Sequence, residues 1–407
     1  MGLTQTASGR VKAWRLAQVG FASWAIMVLV LAHVVPPWQY RKDILIDYVT
    51  ARALRDGLPL FPVLREIQGR YFANIEPLYP FPNFHPPTVW LLNVPLSLLP
   101  FEVLSVSWLG MCIALLVLIA WRLGLSWRVG LLLAAWPPVF WHLYIGQYEL
   151  LILGLALWAW RSAAIGKEWR AGLLLGAAGL LKFYPALLLL PYLYRRRWRV
   201  VAGGAAAGAV GLVASLLLIG FDGAVFYVQG LAGVERQLIL RDWGNGAPYA
   251  VLSRLLGGSP SAVPLLDAPQ LILPVTLALL LAGLAALLLL PAEMAPVGLL
   301  VLMPNSMWYC AVLLLPQIVM IIRYRPLRWW GVVVAAAISI AFPVVANWLP
   351  GREPNGPMPL WLFNVLCSLQ AIGYVGLLAL SVIVAVREQR APTSLTTALT
   401  RSAWRDA

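Results

Sequence analysis

The chain has 407 residues, of which 61% are hydrophobic and 11% are charged, and its formal net charge is +14. Soluble domains are about 45–50% apolar and about 25% charged, so this composition excludes an ordinary soluble protein. Apolar runs of about 18 residues or more, each long enough to cross a bilayer, recur along most of the chain. The basic excess is typical of cytoplasmic loops in membrane proteins, and we expect no nucleic-acid partner. The composition therefore predicts an all-α polytopic membrane protein, which we treat as one domain over residues 1–407.

The first predicted span covers residues 16–35, after a cytoplasmic tail of residues 1–15. It is too long for a signal-peptide core and no small-residue cleavage site follows, so we interpret it as a retained signal anchor. Residues 37–85 then form a first outer loop, rich in proline, glycine and aromatic side chains.

This loop opens with the stretch "RKDILIDYVTARALRDG", residues 41–57. Four apolar side chains recur at helical spacing and predict an amphipathic helix lying in the membrane interface: Ile44, Tyr48, Ala51 and Leu54. Gly57 is expected just past its C-terminus. Asp43 and Asp47 are four residues apart, so they share one face, which we expect to border the lipid headgroups. Asp43 could equally cap the helix N-terminus, and Asp47 could pair with Arg41 or Lys42.

Further apolar segments follow, and with the first span they number about twelve by the length rule: 86–99, 102–121, 128–144, 147–161, 171–193, 198–219, 269–289, 294–303, 306–322, 329–347 and 359–385. The "HPP" motif should place Pro86 and Pro87 at a helix start. A second outer loop covers residues 221–268, and residues 387–407 form a cytoplasmic tail.

Charge assigns the two sides. The loops at 37–85, 221–268 and 347–358 hold ten acidic and ten basic residues, whereas the rest of the chain holds 20 basic and six acidic ones. The positive-inside rule therefore places the three mixed loops outside the cell and the basic tails and turns in the cytoplasm. One conflict remains, because five basic residues look cytoplasmic although simple alternation of the spans puts them outside: Arg122, Arg128, Arg161, Lys167 and Arg170.

Several polar residues of the apolar region are candidate site residues. Lys182 lies inside a mostly apolar run, where a charge is costly and tends to mark a site, and "KFYP" (182–185) predicts a break in the helix there. Lys182 could bind an anion such as a lipid phosphate, or extend its ammonium to the interface. Gln147 and Glu149 open a span and could simply be solvated, and His85 could be an interfacial cap. In the second loop, Arg241 and Arg254 could bind a phosphate or anchor the loop to anionic lipid.

Taken in order, these motifs resemble glycosyltransferase family 87, polytopic membrane enzymes of the C superfamily. The resemblance covers residues 20–325 and rests on an Asp about fourteen residues before a Gly, on "HPPTVWLLNVPLSLLPF", on "GQ" opening a span, on "K-x-x-P" before a basic turn, and on "GN…R". In this chain these are Asp43 and Gly57, Gln147, Lys182, and Asn245 with Arg254.

The resemblance implies an inverting transfer of mannose or a similar sugar, such as arabinofuranose, from a polyprenyl monophosphate to a glycolipid or polysaccharide acceptor, on the outer face of the cell membrane. It implies that a first-loop carboxylate acts as general base; family spacing favours Asp43, since Asp47 falls where the family usually has Tyr. Lys182, Arg254 and Arg241 would bind the donor phosphate, and His85, Gln147, Asn245 and Tyr309 would contact substrate. We expect no cofactor, and a divalent metal is left open.

The chain also departs from the family pattern. "MPNSMWYC" (303–310) stands where the family often has "SPxSW" followed by acidic and His residues. His85 or Tyr309 would then substitute for that His. Two other functions stay open: a transporter or flippase of lipid-linked sugars, which would show mid-bilayer ionisable residues and internal repeats, and a ligase or polymerase using a pyrophosphate-linked donor.

Overall fold

The computed structural model describes residues 2–58, 64–73, 83, 85–241, 245–257, 264–339 and 360–390. Within these ranges the regular structure is helical, and the one extended pairing is an isolated antiparallel bridge between Asn245 and Met307. The prediction of an all-α chain is confirmed.

The first half of the chain contains two long helices and many short ones. The helices are α1 (Gly2–Val34), α2 (Asp43–Arg55), α3 (Leu64–Tyr71), α4 (Pro87–Asn93), α5 (Phe101–Arg122), α6 (Trp127–Leu133), α7 (Pro137–Ile145), α8 (Glu149–Ala164), α9 (Glu168–Leu181) and α10 (Leu190–Tyr194). Short 3₁₀ turns at Trp38–Tyr40, Leu96–Leu98 and Tyr184–Leu189 connect some of them.

The described residues of the second half contain three long helices and four shorter ones. Its helices are α11 (Trp198–Arg241), α12 (Pro248–Leu255), α13 (Ile272–Leu289), α14 (Pro296–Leu302), α15 (Leu315–Arg323), α16 (Arg328–Ser339) and α17 (Leu360–Arg390). Gly220, with φ 68° and ψ 176°, interrupts α11 with a non-helical backbone. A 3₁₀ helix, Trp308–Leu314, leads into α15.

Five helices of the described residues are long and apolar enough to cross a membrane: Ala17–Val34, Phe101–Arg122, Trp198–Leu231, Pro269–Leu289 and Ser368–Arg387. The count is seven if each of two sharply bent pairs forms one span. The larger count of about twelve, taken from apolar length, stays a prediction. It exceeds the observed number because prolines and glycines break several apolar segments into helices of 7–16 residues.

The bent pair formed by α7 and α8 bears on the charge conflict of the middle region. The two helices meet at 114°, so the chain can enter and leave this pair on the same side of the membrane. Arg122 and Arg161 lie close enough to repel each other, and the Arg197 side chain contacts Glu168 at 2.8 Å. These contacts bring basic residues of different turns close together, which is consistent with their lying at one end of the molecule. That this end faces the cytoplasm stays a prediction.

The boundaries of the outer-loop elements follow the predicted signals. α2 ends at Arg55, and Gly57 follows with φ +69°, a conformation that glycine adopts without strain. Pro87 is the first residue of α4, and α9 ends at Leu181, one residue before the extended Lys182. These three expectations are confirmed. The predicted tails are partly helical. α1 begins at Gly2 and includes most of the predicted N-terminal tail, and α17 continues to Arg390, inside the predicted C-terminal tail.

Candidate functional site

The helix α2 presents its acidic residues to the protein interior. Asp47 is fully buried, whereas Asp43 is half-buried. The expectation that both carboxylates border lipid headgroups is therefore wrong for Asp47, because Asn83 and the start of α8 cover it. The expected N-cap role of Asp43 is also not observed: Lys42 occupies the N-cap and Asp43 is the first helical residue. A carboxylate there still interacts favourably with the helix dipole.

Asp47 accepts hydrogen bonds from three different side chains. His85 Nδ1 lies 2.9 Å from both carboxylate oxygens. Asn83 Nδ2 donates to Oδ1 at 3.0 Å, and the Tyr148 hydroxyl donates to Oδ2 at 2.9 Å. Donors of this kind compensate the carboxylate for the water it has lost. Asp47 therefore positions these three neighbours, and few of its hydrogen-bond acceptor sites remain for a substrate.

His85 is the partly exposed member of this network, with 19% of its side chain accessible. Its backbone N–H donates to Asn83 Oδ1 at 2.9 Å, which fixes the loop entering α4. With Nδ1 against the carboxylate, a neutral ring carries its proton on Nδ1 and leaves Nε2 as an acceptor. The sequence left His85 as an interfacial cap or a substrate contact without naming a partner for it, and the structure joins it to Asp47.

A second polar cluster is formed by Glu149 and Lys182. The Lys182 ammonium donates to Glu149 Oε1 at 2.5 Å, and the Tyr184 hydroxyl donates to the same oxygen at 3.3 Å. Glu149 is fully buried and the Lys182 side chain is 12% exposed. His142 Nε2 accepts the Leu150 amide at 3.1 Å, so this nitrogen carries no proton to donate to Glu149. The break at "KFYP" thus delivers a lysine to a buried carboxylate.

The two clusters are adjacent. Tyr148 and Glu149 are consecutive residues, one bound to Asp47 and the other to Lys182. Gln147 donates its side-chain amide to Asp43, and the Asp43 carboxylate acts electrostatically on Lys182. The Tyr309 ring centroid lies 5.1 Å from Lys182 Nζ. The structure therefore brings together four predicted site residues around the start of α8: Asp43, Gln147, Lys182 and Tyr309.

Lys42 is buried beside this site. Its ammonium lies 3.6 Å from the centroid of the Tyr144 ring and has no hydrogen-bond partner within the described part of the chain. Burial lowers the pKa of Lys42 to about 7, and the neighbouring Asp43 partly opposes this shift. A cation–π contact is worth about 2 kcal/mol or more when desolvated, so Tyr144 supplies part of the stabilisation that water would otherwise give.

The segment between α11 and α12, which falls in the predicted second outer loop, is bound to the segment before Tyr309. Asn245 Oδ1 accepts the amides of Ala247 at 2.9 Å and Ser306 at 3.0 Å. Arg254 is 1% exposed and donates to the Asn245 carbonyl at 2.8 Å. Both predicted residues thus hold backbone at a position two residues from Tyr309. Arg241 is the last residue of α11, and its side chain lies outside the described part of the chain.

Sequence reasoning missed several residues of this region. Glu149 opens α8 and was expected to be solvated, but it is buried. Gln147, which could also have been solvated but was given by the resemblance as a substrate contact, is buried as well. Asn83, Tyr148 and Lys42 were not singled out as site residues. The available signal was charge balance, since the buried Lys182 of an apolar segment needs an acid and Glu149 lies in the neighbouring apolar segment.

Within the described residues, no group of three or more His, Cys, Asp or Glu side chains could hold a metal ion. The polar residues instead pair with one another among apolar helices, the arrangement of a multi-pass membrane protein with a buried polar site. A model of glycosyltransferase family 87 matches residues 83–316. The chain belongs to this family.

Two curated relatives carry the same name, polyprenol-phosphate-mannose-dependent alpha-(1-2)-phosphatidylinositol pentamannoside mannosyltransferase. The protein of Mycolicibacterium smegmatis is 30% identical over 204 residues, which cover 48% of this chain and 49% of the relative. The protein of Mycobacterium tuberculosis is 26% identical over 214 residues, covering 49% and 48%. The chain thus spans about half the length of the curated relatives it matches. No solved structure matches the chain.

Proposed function

We propose that this protein is an inverting membrane glycosyltransferase that moves mannose, or a similar sugar, from a polyprenyl monophosphate to a glycolipid or polysaccharide acceptor. Membership of family 87 and the names of the two relatives support a polyprenyl monophosphate sugar as the donor class. The single observation that carries the proposal is the position of Asp43, a half-buried carboxylate that accepts a hydrogen bond from Gln147 and acts electrostatically on Lys182.

Asp43 is the proposed general base. A base must be reachable by the hydroxyl that it deprotonates, and Asp43 is half-buried whereas Asp47 is fully enclosed by its donors. Asp43 takes the proton of an acceptor hydroxyl, and the oxygen attacks the anomeric carbon. The bond between that carbon and the phosphate oxygen breaks, and the phosphate keeps the electron pair. One displacement of this kind inverts the anomeric centre.

The Asp47–His85 pair supplies a second candidate base. A carboxylate on Nδ1 holds an imidazole in one tautomer and orientation, as in other acid–base pairs. His85 Nε2 is then available at the partly exposed edge of the ring. In the primary mechanism this nitrogen binds the acceptor sugar, and Asp47 positions His85.

Lys182 is proposed to receive the leaving phosphate. Lysine has three N–H donors, and Glu149 takes one of them, so the others remain for phosphate oxygens. Tyr309 lines the same ammonium, and Gln147 orients Asp43. Arg254, through Asn245, is proposed to fix the loop over this region, and Arg241 stays a proposed phosphate ligand.

The active site is proposed to face the outer leaflet, where a polyprenyl-linked donor would diffuse to it. The support is the charge asymmetry: basic residues of different turns lie close together, and the end that carries them is cytoplasmic by the positive-inside rule.

A flippase or transporter of lipid-linked sugars is the alternative. The buried Glu149–Lys182 pair favours it, since ionisable pairs in membrane proteins often mark transport pathways. In that case labelled lipid crosses a vesicle bilayer that contains the purified protein, and no sugar is transferred.

The test uses purified full-length protein, a polyprenyl-phosphate donor with radiolabelled mannose, and a lipid extract as acceptor source. We expect Asp43→Asn to lower kcat by about 10²–10⁴-fold, the usual contribution of a general base. Asp222→Asn is the matched control, because Asp222 is an exposed acid of α11. Full activity in Asp43→Asn overturns the assignment; if His85→Gln alone abolishes transfer, the base is His85.

A further inference from the structure

A cavity lies beside the face of α2 that carries Tyr48, Arg52 and Arg55. Its volume is about 370 Å³, and its lining includes Arg52, Arg55, Phe72, Leu98 and Glu102. Small-molecule sites usually have volumes of about 300–1,000 Å³, so the cavity is large enough for a polar headgroup. The Tyr48 hydroxyl, which donates to the Leu99 carbonyl at 2.9 Å, closes the wall between α2 and the turn before α5.

Arg52 gives this cavity an unused hydrogen-bond donor. Its guanidinium lies 4.6 Å from the centroid of the Tyr71 ring, and its buried Nε has no hydrogen-bond partner among the residues that the structure describes. The neighbouring Arg55 donates to the Ser97 carbonyl at 2.9 Å and contacts Asp56 at 3.2 Å. A guanidinium suits the paired oxygens of a phosphate. Asp56 already acts electrostatically on this guanidinium, and the unpartnered Nε leaves Arg52 able to bind a further anion in the cavity.

Glu102 adds an acceptor of the opposite charge. Its Oε1 accepts the Tyr40 hydroxyl at 2.7 Å, and a carboxylate has acceptor capacity for further donors. An Arg and a Glu in one cavity match a ligand with a phosphate and hydroxyl groups. An inorganic anion would use the Arg alone.

The rim of the cavity is apolar and lies at the membrane boundary. Leu98 is 70% exposed and Leu99 is 40% exposed. Both precede Phe101, where a candidate membrane span begins. Acyl chains would pack against these leucines while a headgroup entered the cavity, so a lipid fits the site better than a soluble metabolite does.

We propose that this cavity binds the headgroup of an anionic membrane lipid, with its phosphodiester on Arg52 and a headgroup hydroxyl on Glu102. A bulk phospholipid and an anionic glycolipid acceptor share this chemistry. The acceptor source rests on the proposed function, and the lipid-binding claim itself does not.

Binding is measured on the full-length protein in nanodiscs, or by native mass spectrometry, with phosphatidylinositol, phosphatidic acid and phosphatidylcholine as probes. We expect Arg52→Gln to weaken phosphatidylinositol binding about tenfold, as removal of a charge-assisted hydrogen bond would. Arg70→Gln is the matched control, an exposed arginine of the same loop. Glu102→Gln should reduce the preference for phosphatidylinositol over phosphatidic acid, and Arg52→Lys should bind between wild type and Arg52→Gln.

Equal phosphatidylinositol binding by Arg52→Gln and Arg70→Gln overturns the site, as does equal binding of phosphatidylinositol and phosphatidylcholine by the wild type. If Arg52→Gln does not fold, Arg52→Lys and Glu102→Gln carry the same test. If Arg52→Gln raises the KM for the acceptor and leaves the KM for the donor unchanged, the occupant of the cavity is the acceptor. Lost lipid binding with an unchanged acceptor KM identifies bulk lipid. Absence of any transfer by the wild type contradicts the proposed function alone, because the binding measurements do not need catalysis.

Discussion

Two buried carboxylates of the same region, Asp47 and Glu149, are stabilised in different ways. Asp47 accepts hydrogen bonds from an imidazole, an amide and a phenol, whereas Glu149 is paired with the ammonium of Lys182. The first arrangement positions a partly exposed histidine, and the second neutralises a cation in an apolar region. The comparison teaches that a buried acid can organise a site or balance a charge, and that the identity of its donors distinguishes the two roles.

The largest effect is expected from breaking the ion pair on one side only. Lys182→Met leaves Glu149 buried without its cation and should lower the free energy of unfolding by about 3–5 kcal/mol. The double variant Glu149→Gln/Lys182→Met removes both charges and should recover most of that loss. Thermal unfolding in one detergent measures both. A double variant as unstable as Lys182→Met would show that Glu149 does not act mainly as the counter-charge.

Asp47→Asn tests the network of neutral donors. The new amide group presents N–H bonds to donors that need an acceptor, so the free energy of unfolding should fall by about 2–3 kcal/mol, within the range for hydrogen bonds to charged groups. Transfer activity should fall as well, because His85 loses its orientation. The unfolding midpoint and kcat are compared with those of Asp222→Asn. Unchanged stability in Asp47→Asn would contradict the hydrogen-bonded network.

Lys42 differs from the hydrogen-bonded Asp47 and the ion-paired Glu149, because its buried charge faces an aromatic ring, Tyr144. It should make the free energy of unfolding depend on pH. Its pKa in the folded protein is about 7, below the ordinary value of 10.5. Below pH 7 both the folded and the unfolded chain bind the proton, and the folded state carries the full cost of burial. Between pH 7 and 10.5 only the unfolded state keeps the Lys42 proton. The free energy of unfolding should therefore rise by about 1.4 kcal/mol for each unit of increase in pH.

Unfolding midpoints at pH 7, 8 and 9 measure this slope in wild type and in Lys42→Met, which should lack it. Lys167→Met is the control, because Lys167 is exposed. The same slope in Lys42→Met and in wild type would show that another group titrates.

Local signals predicted the boundaries of the site-bearing elements. The spacing of apolar residues and Gly57 gave α2, "HPP" gave the start of α4, and the proline after Lys182 gave the break between α9 and the following turn. Each of these is decided by residues within one or two helical turns, which is the range over which propensity and capping act.

The partners of the charged residues could not be predicted in the same way. Lys182 was recognised as costly, but its acid lies 33 positions earlier, and nothing in helix periodicity selects Glu149 over another carboxylate. The burial of Asp47 depends on Asn83 and Tyr148, which come from two other segments. Such long-range pairs are fixed by how the helices pack, and the sequence pattern describes each helix alone.

The smallest expected difference separates two tyrosines, one in each cluster. The Tyr148 hydroxyl donates to Asp47 at 2.9 Å and accepts from Asn93 at 3.0 Å, whereas the Tyr184 hydroxyl reaches Glu149 at 3.3 Å. Tyr148→Phe should therefore lower the free energy of unfolding by about 1 kcal/mol, and Tyr184→Phe by less, because Lys182 already satisfies Glu149. Unfolding midpoints of the two variants, which lose the same single atom, give the comparison directly. A larger loss in Tyr184→Phe would mean that the ion pair depends on its tyrosine more than Asp47 depends on Tyr148.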